Sequence, residues 1–463
     1  MVRLFKHYMP YALLFLGVLD FVALIGAAEA AWVLRAHQIG MPVKSIDTRV
    51  LPLLNFALSL QGAMIAVGVY GTESLHSLRY AIARLLVAVS LGVIFLSLMY
   101  FLMPGVTLWR SNSLYAMLLA MLLLIGLRLI FGRLFKGDVF QRRLIVLGAG
   151  HRANRIRQLE RRKGAGFTVL NYIAVDDGRD CVIPDALKWD KVGNLADFAE
   201  RKSVGEVVLA LEERRNAFPM SELLRLKTTG VQVNELSTFL ERETGRVDLD
   251  SVNPSWLIFS DGFSYGRRMS SVAKRLFDIG ASLLLLVLTA PLLMVAAIIV
   301  KLDSKGPAFY RQQRVGRYGK EFWIVKLRTL RADVEADGQA VWAEKDDPRI
   351  TRVGKWLRKL RIDELPQVWM VLKGEMSFVG PRPERRPFVE DLEQHLRYYA
   401  ERHMVKPGIT GWAQINYPYG ASLEDARHKL EYDLYYAKNY TPFLDLLILL
   451  QTVRVILWSD GAR

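Results

Sequence analysis

The sequence predicts a membrane protein in three parts. Four transmembrane helices occupy 1–140, a doubly wound, Rossmann-like α/β domain follows at 141–262, and a C-terminal domain at 263–463 carries a re-entrant, proline-broken helix at 274–301. Three observations lead there. Four apolar runs near the N-terminus each approach the roughly 20 residues that a bilayer core requires. Strand-like and helical runs then alternate behind a glycine turn. A fifth apolar run, much farther along, has a proline in its middle and basic residues at both ends.

Composition agrees with this division. At 463 residues the chain exceeds one ordinary domain, and it is 52% hydrophobic with a mean hydropathy of +0.17 and a formal charge of +16. A chain both apolar and basic fits an integral membrane protein with large cytoplasmic parts, because Lys and Arg accumulate on that side. The charge also suits anionic headgroups or phosphorylated substrates. Nucleic acid is not an expected partner, since no zinc-finger, basic-zipper or RNA-recognition signature occurs. Cys181 stands alone, which excludes an internal disulfide framework and a Cys-cluster metal site.

The four N-terminal runs are 11–32, 51–70, 80–103 and 113–131. The first has no small-residue cleavage site and reads as an anchor. Arg3 and Lys6 precede it, and Arg128, Arg133, Lys136, Arg142 and Arg143 end or follow the fourth, so both ends of the four-span region belong in the cytoplasm. Asp20, Glu29, Arg84 and Arg128 fall within or near these runs, where a charge is costly and is either functional or paired between helices. The fifth run, 276–300, lies between Lys274-Arg275 and Lys301 with Lys305. Equal basic flanks put both ends on the cytoplasmic face, and Pro291 removes a helix hydrogen bond midway, so the helix is expected to enter and return. A kinked fifth span is the competing reading.

In the middle domain, residues 141–147 read as a strand entering the turn Gly148-Ala149-Gly150-His151-Arg152-Ala153. Further strands are expected at 169–175 and 206–211, with helices at 194–202 and 220–229. Such a turn can present backbone amides to a pyrophosphate, but an acidic residue about 20 positions on has no clear candidate; Asp176 and Asp177 come late. The expectation is a structural or regulatory domain, with a working nucleotide site as the alternative.

The C-terminal region is dense in motifs. Lys274-Arg275-Leu276-Phe277-Asp278, the proline-containing helix, Gly306-Pro307 through Arg314-Val315-Gly316, Lys326-Leu327-Arg328-Thr329-Leu330, Asp363-Glu364-Leu365-Pro366-Gln367, Pro381-Arg382-Pro383 and Lys406-Pro407-Gly408-Ile409-Thr410-Gly411 occur in that order. Between 301 and 328 eight basic residues face two acidic ones, a balance that suits phosphate or headgroups. Pro366 is tolerated in a first helical turn, so Asp363 is expected near a helix N-terminus, where phosphate is favoured. Arg382 between two prolines has a stiffened backbone that suits a guanidinium aimed at phosphate. Lys326, Arg328 and Arg358 are the next phosphate-binding candidates. The apolar tail 441–458 reads either as an interfacial helix or as a packed core helix.

In these motifs the chain resembles the bacterial sugar transferase, or monotopic phosphoglycosyl transferase, family. With four spans and an α/β domain in front, its architecture is similar to the large polyprenyl-phosphate hexose-1-phosphate transferases of exopolysaccharide synthesis. That resemblance implies an α+β catalytic domain on the cytoplasmic side of a bacterial inner membrane. It implies transfer of hexose 1-phosphate from a UDP-hexose to undecaprenyl phosphate with release of UMP, Asp363 as nucleophile, and a Mg²⁺-associated role for Glu364. The α/β and membrane parts leave room for a homodimer. The family's usual Ser-Pro at the helix break is Ala290-Pro291 here, so any hydrogen bond from that serine is missing. A membrane-anchored, NAD-dependent nucleotide-sugar dehydratase or epimerase is the alternative that the glycine turn would serve, but no Tyr-x-x-x-Lys pair is evident in the C-terminal region where it would be needed.

Overall fold

The computed structural model describes residues 2–4, 7–9, 11–42, 45–70, 78–134, 141–161, 165–175, 181–212, 219–252, 268–331, 349–418, 420 and 422–458. They form two compact units, Met1–Leu4 with Tyr8–Ser251 and Phe5–His7 with Val252–Arg463. The expected boundary at 262, and Asp176 and Asp177, lie outside the described residues.

In the first unit the four apolar runs become helices α1 (Tyr11–Gln38), α2 (Ile46–Val67), α3 (Leu78–Leu102) and α4 (Arg110–Leu134). Each contains a stretch long and apolar enough to cross a membrane. The apolar pattern would carry the second helix to 70, but Gly68 turns left-handed at φ 77 and ends it at Val67. The helices meet through small residues, with Ala27, Ala28, Ala31, Ala57, Ala116 and Ala120 all fully buried. Small residues let backbones approach where lipid provides no hydrophobic drive between helices.

Asp20, Glu29, Arg84 and Arg128 all have polar partners. Arg128 of α4 donates twice to Asp20 of α1, Nη1 to Oδ1 at 2.8 Å and Nη2 to Oδ2 at 2.7 Å. The Tyr70 hydroxyl donates to Asp20 Oδ2 at 2.9 Å, and Gln61 Nε2 donates to Tyr70 at 2.9 Å. Arg49 pairs with Glu29, and Arg84 donates to the Gly68 carbonyl at 3.0 Å.

The α/β part has five parallel strands, β1 (Arg142–Leu147), β2 (Phe167–Ala174), β3 (Leu187–Lys188), β4 (Glu206–Leu209) and β5 (Gln232–Glu235), in the order β3-β2-β1-β4-β5. Helices α5 (His151–Glu160), α6 (Leu195–Arg201), α7 (Met220–Thr228) and α8 (Leu236–Thr244) accompany them. Along β1, Leu144 and Val146 belong to one apolar cluster while Ile145 and Leu147 belong to another. Alternate side chains of a strand point to opposite faces, so the sheet is covered on both sides, as a parallel sheet requires.

The second unit opens with α9 (Arg268–Asp303), long and apolar enough to cross a membrane. Helical structure continues through Pro291 without interruption, so the expected break is not a loss of helix. One missing amide leaves the rest of the ladder in place. An antiparallel pair, β6 (Phe309–Val315) and β7 (Glu321–Leu327), is followed by α10 (Arg352–Lys359), a 3₁₀ turn at Ile362–Gln367 and α11 (Val368–Lys373). A parallel pair, β8 (Ser377–Val379) and β9 (Gly408–Thr410), joins segments about 30 residues apart; α12 (Arg386–His395), α13 (Trp412–Asn416), α14 (Leu423–Asn439) and α15 (Pro442–Trp458) complete an α+β arrangement. The apolar tail, α15, satisfies both readings in part: Leu444 and Ile448 are fully buried, while Leu446 and Ile456 are each 54% exposed.

Arg128→Leu alone leaves the buried Asp20 uncompensated and is expected to cost about 3–5 kcal/mol. The double variant Asp20→Leu/Arg128→Leu should recover most of that loss in thermal unfolding of detergent-solubilised protein. Equal melting of the single and double variants would contradict this account of the pair.

Candidate active site

Asp363 and Glu364 lie in the 3₁₀ turn between α10 and α11 and are 7% and 9% exposed. The expected helix N-terminus is thus a tighter turn, in which neighbouring side chains diverge by about 120° rather than 100°. The turn is set up by Arg361, which takes a left-handed φ of 58° just before it. A non-glycine residue held there is strained and needs surrounding structure to persist. The two carboxylates thereby acquire different surroundings.

Glu364 Oε1 accepts from Lys326 Nζ at 2.8 Å and from Arg382 Nη2 at 2.9 Å. Burial would raise its pKa, but Arg382 and Lys326 overcome that and hold the carboxyl well below the usual range, so it is ionised. Asp363 Oδ1 is buried with no hydrogen-bond partner. Burial first, and then the adjacent Glu364 charge, push the Asp363 carboxyl up, against the opposing fields of Lys326, Arg358 and Arg361. One carboxylate is fixed and neutralised; the other keeps an unengaged oxygen beside several cations.

Three separated segments deliver those cations. Lys326 lies on β7, whose partner strand β6 is returned by a turn closed by Gly316 N–H donating to the Lys320 carbonyl at 2.8 Å. Arg358, in the last turn of α10, donates from Nε to Thr329 Oγ1 at 2.9 Å. Thr351 caps the start of α10 by accepting from Gly354 N at 2.9 Å. Gly354 must lack a side chain, because a Cβ there would lie 2.3 Å from the Thr329 carbonyl oxygen.

Arg382 follows β8 in Gly380-Pro381-Arg382-Pro383. Its own carbonyl accepts from Arg402 Nη2 at 3.0 Å, and the Pro383 carbonyl accepts from Arg314 Nη1 at 3.2 Å. Arg402 is in turn locked on Asp433 Oδ2 through Nε at 3.0 Å and Nη2 at 2.7 Å, with both side chains buried. Behind the loop, Gly380 approaches Gly408 and Gly411 so closely that a Cβ on any of the three would come within 2.3 Å of backbone. This explains the Lys406–Gly411 motif: Gly408 N–H donates to the Pro381 carbonyl at 2.9 Å and fixes the proline-flanked turn.

Lys326, Arg358 and Arg382 thus gather around the carboxylate pair. Arg328 does not. It is 6% exposed and donates to the Lys305 carbonyl at 2.8 Å and the Ser304 carbonyl at 2.7 Å, satisfying the C-terminal end of α9. Its amide still donates to the Ala308 carbonyl at 2.8 Å beside the hairpin, and its guanidinium is spent on the end of α9. Pro291 lies in α9 and is exposed. Sequence reasoning missed Arg361, Thr329, Arg402 and Asp433. Arg361 was visible as the end of the basic run 355–361; the Arg402–Asp433 pair has no local signal.

Among the described residues no group of three or more His, Cys, Asp or Glu side chains is arranged to hold a metal ion. A closed, all-protein metal cage is therefore not what this site offers. The single carboxylate of Glu364, beside Asp363, suits a weakly held Mg²⁺ that takes most of its ligands from water and phosphate oxygens.

Fold and site together define a membrane-associated α+β domain whose buried carboxylate pair is set in a ring of cations. The sequence model of the bacterial sugar transferases matches residues 269–459, and that of a CoA-binding domain matches 65–228. An uncharacterised sugar transferase of Haemophilus influenzae is 31% identical over 71% of this chain and 72% of its own length. The UDP-N-acetylgalactosamine-undecaprenyl-phosphate N-acetylgalactosaminephosphotransferase of Aeromonas hydrophila is 42% identical over 52% of this chain and 56% of its own. A UDP-glucose:undecaprenyl-phosphate glucose-1-phosphate transferase of Klebsiella pneumoniae is 36% identical over 57% of each. The chain thus spans a little over half the length of the last two relatives. It belongs to the bacterial sugar transferase family.

The raised Asp363 pKa has a consequence for stability. Its ionised form is destabilised by folding, so Asp363→Asn should raise stability by about 1 kcal/mol, the scale of one buried acceptor left unsatisfied. The gain should be full above the folded-state pKa and shrink as pH falls through it towards the ordinary carboxyl value of about 3.9. Thermal unfolding at several pH values reads this; a gain that grows on acidification would contradict it.

Proposed function

We propose that the C-terminal unit transfers hexose 1-phosphate from a UDP-hexose to undecaprenyl phosphate, releasing UMP and starting an exopolysaccharide repeat unit. The names of the Aeromonas and Klebsiella relatives supply the substrate class. The observation that carries the chemistry is the buried, unpartnered Oδ1 of Asp363 beside an already neutralised Glu364. A carboxylate with an unengaged oxygen is what a nucleophile at phosphorus must be.

Joining a nucleotide sugar to a lipid phosphate brings two anions together. A covalent intermediate divides that task, because the leaving UMP can depart before the lipid phosphate arrives. An oxygen of Asp363 attacks the phosphorus that bears the hexose, and the bond from that phosphorus to the bridging oxygen breaks. UMP leaves with the electron pair. An oxygen of undecaprenyl phosphate then attacks the same phosphorus, and the Asp363 carboxylate is restored. Lys326, Arg358, Arg361 and Arg382 face the charge that builds on the phosphoryl oxygens. When bound, Mg²⁺ would be held by Glu364 and would neutralise the diphosphate.

The same reading places the unit at the cytoplasmic face of a bacterial inner membrane, with α9 re-entrant. Support comes from the two ends of α9 docking on one small unit. Asp278 accepts from Ser377 Oγ at 3.2 Å and from the Phe378 amide at 3.3 Å, and Lys274 pairs with Asp445 at 2.6 Å. Some 20 residues on, Ala296 and Val300 pack with Leu327 and Leu357. Between them Leu283, Leu284, Val287 and Leu288 are exposed and apolar, as a segment dipped into lipid would be.

Asp363→Asn should abolish UMP release from a panel of UDP-sugars while remaining folded. With wild type and no acceptor, sugar-labelled UDP-hexose should leave label on the protein, and none on the Asn variant. Near-normal turnover by that variant would overturn the nucleophile assignment. Thr329→Val, which removes the acceptor that aims Arg358, should lower kcat/KM on the order of tenfold with Thr329→Ser close to wild type. Cysteines at Ser271 and Ser304, with Cys181 replaced, should both resist an impermeant thiol reagent in intact cells and react after lysis. Labelling of one alone in intact cells would make α9 a true span.

A further inference from the structure

The turn after β1 has the glycine pattern of a pyrophosphate site, and its family model is that of a CoA-binding domain. In a sheet ordered β3-β2-β1-β4-β5 the chain reverses direction between β1 and β4, and ligands of such sheets bind in the crevice beyond the carboxyl ends of those two strands. In that pattern the second glycine leaves room for the phosphates to reach the backbone, and the amides opening the next helix receive their charge.

Here the chain itself fills both places. Gly148 has φ +128, and a Cβ on it would lie 2.3 Å from the carbonyl oxygen of Ala210, just past β4. That glycine is demanded by the neighbouring strand, whose Ala210 N–H donates to the Leu147 carbonyl at 2.7 Å. Gly150 is different: its φ of −88 would admit any residue. A side chain there would have to displace that of Glu212, because a Cβ on Gly150 would lie 2.6 Å from Glu212 Oε1 and 2.9 Å from its Cγ. The same Oε1 accepts from the Arg152 amide in the first turn of α5 at 2.7 Å. Glu212 leaves the end of β4, on the other side of the crevice, and its carboxylate sits where a ligand phosphate would.

We infer that Glu212 is the resident anion of this turn, and that the α/β domain does not take a coenzyme A or dinucleotide pyrophosphate there. A phosphate arriving at Gly150 would meet a carboxylate in its place, with the Arg152 amide already engaged. Both glycines are accounted for by the chain's own β4 end, so the fingerprint requires no ligand. This conclusion is independent of the reaction proposed for the C-terminal unit.

The test uses the full chain in detergent. Equilibrium dialysis of wild type with coenzyme A and with NAD⁺ should show no saturable binding displaced by inorganic pyrophosphate. Thermal unfolding of a double-variant cycle reads the contact directly. Gly150→Ala should lower the melting temperature in wild type, because it expels Glu212 from the turn. In a Glu212→Ala background the same change should cost less than half as much. Saturable, pyrophosphate-competed binding by wild type, or an equal cost of Gly150→Ala in both backgrounds, would overturn the inference.

Discussion

A single oxygen, Oε1 of Glu364, accepts from both Lys326 and Arg382, and three distant stretches of the C-terminal unit converge there. The hairpin brings Lys326, the 3₁₀ turn brings Glu364, and the proline-flanked loop brings Arg382. A buried carboxylate with two cations satisfies the local charge only when all three are in place. Asp363, next in sequence and turned aside by the tight geometry, then inherits a field that others maintain. Its unengaged oxygen is a product of that arrangement, since Lys326 donates to Glu364 and Arg358 to Thr329.

Much of the remaining unit holds this convergence steady. The loop bearing Arg382 is gripped through main-chain atoms: the Arg382 carbonyl by Arg402, the Pro383 carbonyl by Arg314, and the Pro381 carbonyl by the Gly408 amide. Lys274, at the start of α9, donates to the Val379 carbonyl at 3.1 Å, as does the Tyr436 hydroxyl at 3.0 Å. Contacts to backbone leave the Arg382 guanidinium available for the site while denying its segment freedom to wander. The helix read as dipping into lipid is thereby tied to the strand that leads into the phosphate-facing loop.

The sequence made legible what depends on local pattern. Apolar length marked the membrane helices, period and glycine marked the α/β sheet, and the Asp363-Glu364 and Pro381–Pro383 motifs marked two of the converging segments. Pairings over long separations were not legible: nothing near Arg402 announces Asp433, and nothing near Gly150 announces Glu212. Arg328 was grouped with Lys326 and Arg358 on charge alone, whereas its guanidinium turns to the carbonyls of Ser304 and Lys305 at the end of α9. Pro291 sits within continuous helix, because the loss of one amide does not by itself unmake a helix of 36 residues. In each case local chemistry was read correctly and tertiary placement decided the outcome.

The pair between Asp20 and Arg128 joins the first and last helices of the membrane bundle across 108 residues of chain. During synthesis, therefore, the first helix reaches the bilayer carrying an acid whose base has not yet been made. Two further helices must follow before the charge is matched. Insertion and closure of this bundle are thus bound into one event: the opening helix has to be kept near the exit, or beside its successors, until the fourth arrives. A chain cut short after the third helix would keep the Tyr70 hydroxyl beside Asp20 but would lack the base that matches its charge.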